Sequence, residues 1–165
     1  MKKLAITTLI ILAVLINTAI AFQNEPDGFR GLKWGDPPTE DMEYWKTEAE
    51  ELRYYRIEND KKRIGDVDYM INYVFCGQPE QFGMVTLDFR GENNYALLEM
   101  LAKGLWGEPT NEKFSEEVQI LTWADSNTLV GVELHFYLPE EKGTLTFFNF
   151  AVLLEPIMGK HKDAE

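Results

Sequence analysis

Five runs of β-branched and aromatic residues, each closed by a turn signal, fill the chain from Asp66 onward and set its fold class. "DVDYMINYVF", "MVTLDFRG", "VQILTW", "LVGVELHFYL" and "TLTFFNFAVLL" each suit a pleated, half-buried strand. "CGQPEQFG", Asp125-Ser126-Asn127 and Pro139-Glu140-Glu141-Lys142-Gly143 separate them with residues that favour turns. Val85, Leu87 and Phe89 alternate, which sends all three to one side of their strand. The first two runs, joined by so short a link, form an antiparallel hairpin.

Two segments read as helices. Over 40–52, Met42, Trp45, Ala49 and Leu52 recur at helical spacing, behind the turn Asp36-Pro37-Pro38-Thr39. The acids Glu40, Asp41 and Glu43 cluster early, where a helix dipole favours them. The second helix is capped by Asn93-Asn94 and carries Leu97, Leu98, Leu101, Ala102 and Leu105 as one stripe. Gly104 and Gly107 end it, with Pro109 beyond. The order helix, strands, helix, strands gives an α+β class: an antiparallel β-sheet with two helices packed on one face.

The ends of the chain are of another kind. Lys2 and Lys3 precede an apolar run from Leu4 to Ile16, and Ala19-Ile20-Ala21 supplies small residues at a cleavage site. Residues 1–21 therefore read as a signal peptide cleaved after Ala21, residues 22–155 as one domain, and 156–165 as a flexible polar tail. A periplasmic or secreted location follows. No cysteine stands at the cleavage point to carry a lipid, and no later run is apolar enough for a membrane span. The formal net charge is −12, and loss of Lys2 and Lys3 makes it more negative. Such a surface repels nucleic acid and anionic lipid, and favours basic partners or cations.

Trp-Gly-acid-Pro occurs twice, at Trp34 and at Trp106. Glycine permits a positive φ, proline starts or stops an element, and the indole pins the turn to a core. A turn pinned in this way is the first reading; an exposed aromatic platform for a sugar or peptide is the rival. Two further echoes relate "GMVTLDF" to "GTLTFFNF", and "INYVF" to "VELHF", at offsets that agree within one residue. They sketch a weak duplication of a helix-plus-strands unit, with about eleven or twelve extra residues in the first half.

Most catalytic sets lack a part. Cys76 is the sole cysteine and reads as a small buried residue at a strand end. Only His135 and His161 could serve as imidazole bases; the first alternates with Leu134 and Phe136 on a strand, and the second lies in the tail. No motif for metal, phosphate or cofactor binding is present, and Asp66 and Asp68 read as a solvated strand face. A pair of catalytic carboxylates has no distinguishing mark among 28 acidic residues.

"DGFRGLKWGDPPTEDM" resembles the start of uncharacterised exported proteins of Gram-negative bacteria, which share a Gly-Phe-Arg-Gly-aliphatic-x-Trp-Gly motif. That likeness implies export and no assigned activity. "LLEMLAKGLWGEPT" followed by Trp123 is similar, more loosely, to outer-membrane assembly lipoproteins of the SmpA/OmlA type and to β-lactamase inhibitor proteins. That second likeness implies a helix layer on a sheet that binds protein. The expectation is an exported, non-catalytic binding module of the cell envelope without a cofactor, whose partner is another envelope protein. Trp34, Trp106 and Arg30 are the residues nominated for contact. A small periplasmic hydrolase using paired carboxylates, and a module for carbohydrate or another small ligand, are the alternatives.

Overall fold

The computed structural model describes Phe22 and residues 24–48, 52–58, 60, 63–64, 67–125 and 127–154. The expected signal peptide and the polar tail lie outside the described residues. Twelve strands are present among them: β1 (Gly28–Phe29), β2 (Leu32–Lys33), β3 (Met42–Glu48), β4 (Leu52–Ile57), β5 (Arg63–Ile64), β6 (Val67–Asp68), β7 (Met70–Cys76), β8 (Gln81–Arg90), β9 (Asn111–Phe114), β10 (Val118–Ala124), β11 (Val130–Tyr137) and β12 (Lys142–Asn149). The helix α1 (Glu92–Trp106) separates β8 from β9, and a short helical stretch covers 150–154. The fold is mostly antiparallel β with few helices.

Eight strands form one sheet in the order β3-β4-β7-β8-β12-β11-β10-β9. The alternation read from the sequence decides its faces. Ile71, Tyr73, Val85, Leu87, Leu134, Phe136 and Leu145 all point to one side and are buried. Helix α1 covers half of that side with Tyr95, Leu98, Ala102 and Trp106. The β1–β2 ribbon covers the rest: Phe29 lies 5.5 Å from Phe147 and 6.0 Å from Tyr73, ring centre to ring centre. Each large apolar side chain so buried contributes roughly 1.5–3 kcal/mol before entropy is counted.

The expected helix over 40–52 is instead the hairpin of β3 and β4. A β-bulge between Tyr44 and Lys46 inserts one residue and breaks the alternation, so the apolar positions imitate helical spacing. The acids and lysine that suggested a solvated helix face belong to an edge strand, where charge discourages pairing with other chains. The second helix forms, but Gly91 occupies its N-cap and Asn94 donates back to the Arg90 carbonyl at 2.6 Å. Its buried stripe is Tyr95, Leu98, Ala102 and Trp106, while Leu105 is exposed. "AVLL", read as the end of a strand, is helical from Phe150 because Asn149 Oδ1 accepts from the amides of Ala151 and Val152. This stretch sits on the side of the sheet opposite α1, so the described helices do not share one face.

The two ends of the sheet correspond. Strands β7–β8 and β11–β12 are the hairpins that carry the echoed sequences, and β8 pairs with β12 at the centre. The Met70–Asp88 pair of one hairpin becomes Gly131–Phe148 in the other at the echo offsets, and both are registered pairs. Thr86 and Thr146, equivalent under the same offsets, face each other directly. Away from the bulge between Val74 and Phe75, the registers of the two hairpins repeat about that pair. Each Trp-Gly-acid-Pro turn now stands in the same place, ahead of an edge strand.

Among the described residues no helix is long and apolar enough to cross a membrane. One buried group is out of balance: the Tyr95 hydroxyl has no hydrogen-bond partner among them. Tyr95 stacks on Phe136 at 5.0 Å, so Tyr95→Phe keeps the ring and removes the orphan. Chemical denaturation is expected to show Tyr95→Phe as neutral or stabilising by up to about 1 kcal/mol, against a loss of about 2–5 kcal/mol for Leu98→Ala.

Candidate functional site

The side of the sheet away from α1 carries a polar band beside the turn at 150–154. At its centre Asn72, only 3% exposed, is the buried polar residue among those described. Arg56 Nε donates to Asn72 Oδ1 at 2.9 Å. The Asn72 amide donates in turn to Thr86 Oγ1 and Asp88 Oδ2, each at 3.0 Å. Thr144 Oγ1 donates to the other Asp88 oxygen at 3.1 Å and ties β12 into the chain of contacts. Asp88 is therefore an acceptor on both oxygens while remaining exposed. Further along, His135 Nε2 meets Glu133 Oε2 at 3.0 Å on β11. A satisfied polar network of this kind fixes side-chain directions without needing a ligand.

Two features flank the band. Toward β3, the Arg56 guanidinium lies 3.3 Å from the Trp45 ring centre, and Lys46 lies 4.6 Å from both Trp45 and Tyr54. Burial pushes the Arg56 pKa down, with Asp88 opposing it. Burial and the Glu48 carboxylate push Tyr54 up to about 12. Toward the end of β8, a groove of about 990 Å³ opens between the start of β7, the end of β8 and the start of β12. Met70 and Tyr137, both near 45% exposed, give it apolar walls, and Asp68, Asp88 and Arg90 give it charge. Lys142 and Glu140 on its rim pair at 2.7 Å, and that ammonium holds the Glu140 carboxyl below the usual carboxylate range.

The nominated residues lie on the opposite side. Trp106 is 7% exposed, enclosed by Phe22, Trp123 and Phe147 at centroid distances of 6.4, 6.0 and 5.6 Å. Trp34 is half-buried, stacked on Phe82 at 5.0 Å, and its indole donates to the Pro26 carbonyl. Both turns are stitched to the sheet. Gly35 donates to Phe82 and Phe82 to Asp36, while the Trp123 indole donates to the Gly107 carbonyl. The glycine after each tryptophan has φ near +85°, a conformation that explains its presence in both turns.

The Gly28–Gly35 motif is a local design. Gly28 pairs with Lys33 and Phe29 with Leu32, leaving Arg30 and Gly31 as a two-residue loop with φ of 53° and 89°. That is the conformation a tight hairpin requires, and it is costly for arginine. Its guanidinium is held in place by Asp60 and by the Tyr69 hydroxyl at 2.7 Å, with the Phe29 ring below it. Asp60 also accepts from Tyr73 at 2.6 Å. Arg30 thus anchors the ribbon to the core side of β7.

Sequence reasoning missed Asn72, Asp88, Thr144 and Arg56, which meet across four strands. The only trace was their alternation with buried neighbours, which placed them outward without revealing that they touch. Asp66 lies outside the described residues, whereas Asp68 contributes to the groove wall. Among the described residues no cluster of three or more histidine, cysteine or carboxylate side chains could hold a metal ion.

The placement of the tryptophans sets an energetic contrast. Trp106→Ala is expected to cost about 3–5 kcal/mol, and Trp45→Ala, on the exposed edge, less than about 1 kcal/mol; urea denaturation of both variants checks it. Compared with known proteins, the chain matches no family model, no curated protein and no solved structure.

Proposed function

We propose that the chain is an exported, non-catalytic interaction module of the cell envelope, and that it binds another envelope protein through the uncovered side of its sheet. The signal-peptide pattern supports export, and the Gly-Phe-Arg-Gly-Leu-Lys-Trp-Gly motif supports kinship with exported Gram-negative proteins. The observation that carries the binding role is the part of the eight-stranded sheet that stays uncovered on the side away from α1, beside the turn at 150–154. Among the described residues, α1 and the β1–β2 ribbon close one side, while a pre-ordered polar band and a groove stay open on the other. Side chains already locked by mutual hydrogen bonds lose little freedom on binding, which favours affinity. The correspondence of the two hairpins supports reading the chain as a duplicated α+β unit.

Catalysis by paired carboxylates has less support. Such a mechanism needs one acid that stays protonated near neutral pH. Glu140 in the groove is shifted the opposite way by Lys142, and both Asp88 oxygens already accept hydrogen bonds.

The test is capture from a solubilised envelope fraction on immobilised protein purified after export. Thr146→Arg plants a bulky charge at the centre of the open side; Met100→Arg does the same on the outer face of α1, where Met100 is 62% exposed. The expected result is one protein retained saturably by wild type and by Met100→Arg, and weakened at least tenfold by Thr146→Arg. Retention insensitive to Thr146→Arg, or none by the wild type, contradicts the reading.

A further inference from the structure

The two edges of the eight-stranded sheet are finished differently. The β3 edge is interrupted by the bulge between Tyr44 and Lys46. The β9 edge runs in unbroken register with β10, from Phe114–Gln119 to Asn111–Thr122, and no described strand lies against its outer side. The Ser115 amide donates to the Val118 carbonyl at 2.9 Å. Hydrogen bonding alternates along an antiparallel ladder, so the amides and carbonyls of Phe114 and Glu112 point away from β10. Glu112 is registered with the core residue Leu121, which puts Glu112 and Phe114 on the α1 side and Lys113 on the other. Phe114 is 58% exposed there.

Glu112 turns toward a charged row on α1. Tyr95, Glu99 and Lys103 stand one turn apart on that helix. Lys103 pairs with Glu99 at 2.9 Å and lies 3.8 Å from Glu108. The hydrogen bond to Glu99, joined by the charges of Glu99, Glu108 and Glu112, holds the Lys103 ammonium above the usual lysine range. Three carboxylates thus act on one ammonium. Among the described residues Glu112 makes no ion pair, and neither do Glu116 and Glu117 in the link to β10. The Tyr95 hydroxyl belongs to the same place. Burial, and then the charges of Glu99 and Glu112, push its pKa up to about 12. Tyr95 is 5% exposed and its hydroxyl has no partner. A free phenolic oxygen beside excess carboxylate suits the N–H groups of a cation.

We infer that the β9 edge takes an extended segment of a partner protein as a ninth strand, one that sets a lysine or arginine beside Glu112 and Glu99 at the Tyr95 hydroxyl and an apolar residue two positions away against Phe114. Main-chain hydrogen bonds supply the hold, and alternate side chains supply the selection. Opposite charges across a strand pair attract and like charges repel. The net charge of −12 works against a second copy of this chain as the occupant. The surface lies at the sheet edge, away from the polar band, and goes beyond the module reading above.

The probes are three fluorescein-labelled, extended peptides. One has a lysine and a phenylalanine two residues apart, one has glutamate in place of the lysine, and one is the lysine peptide with alternate amides N-methylated. Fluorescence anisotropy is read on the exported protein and its variants, with circular dichroism confirming that each is folded. The lysine peptide is expected to bind saturably, and about tenfold tighter than either of the other two. Glu112→Gln abolishes the preference for lysine over glutamate, and Glu112→Lys reverses it. Tyr95→Phe, which keeps the ring, weakens the lysine peptide about threefold. Thr146→Arg, on the polar band, leaves its affinity unchanged. No binding, equal affinity for lysine and glutamate peptides, or indifference to N-methylation overturns the ninth strand. A preference that survives both Glu112 variants, or an affinity untouched by Tyr95→Phe, overturns the seat of the basic side chain. Loss of the lysine peptide with Thr146→Arg moves binding to the polar band and overturns the edge assignment, whereas failure of the envelope capture alone leaves it standing.

Discussion

The pairing of β8 with β12 is the contact on which the rest of the molecule depends. It joins two hairpins far apart in sequence into one eight-stranded sheet, through seven registered pairs from Lys142–Arg90 to Phe148–Met84. A slip of one residue there would set Leu87 and Phe89 on the same side as Thr144 and Thr146, so that one of the two strands would turn its apolar residues out of the core. Both faces of the sheet are therefore fixed by one ladder. The core side needs that register for its packing, and the open side needs it for the contact between Asp88 and Thr144.

From this symmetric seam the molecule becomes asymmetric by where two helical segments go. The chain leaving β8 passes Gly91 and enters α1, which packs its Tyr95, Leu98, Ala102 and Trp106 on the core side. The chain leaving β12 is capped by Asn149 and turns to the other side, over Cys76 and Gly83. The core half left without a helix is closed by the β1–β2 ribbon, whose tight loop is secured by Arg30 and Asp60. One side is closed by two unlike devices. On the other, one end is filled and the other is left as a groove.

The hairpins of the fold were legible because burial on one face writes a period of two into the sequence, as in Val85, Leu87 and Phe89. Helix α1 was legible for the same reason at a period of 3.6, although its first turn and its last leucine were misplaced. The 40–52 segment misled because a bulge at Tyr44–Lys46 and the charges of an edge strand together copy an amphipathic helix. The β9 strand left no apolar trace, being exposed along its whole length. The tryptophans drew notice as candidate contacts, yet Trp106 is enclosed by residues as distant as Phe22 and Phe147. The band on the open side is built from Arg56, Asn72, Asp88 and Thr144, which only the sheet order brings together. No local pattern announces such a set.

The most direct check of the account is a nuclear Overhauser map of backbone protons between β8 and β12 in the labelled protein. Cross-peaks linking Thr86 with Thr146, and Leu87 with Leu145, are predicted, with those linking Met70 to Asp88 and Gly131 to Phe148 in the two flanking hairpins. Cross-peaks that pair β8 with a strand other than β12, or that shift the register by one residue, would contradict the sheet order and with it the polar band that this register assembles.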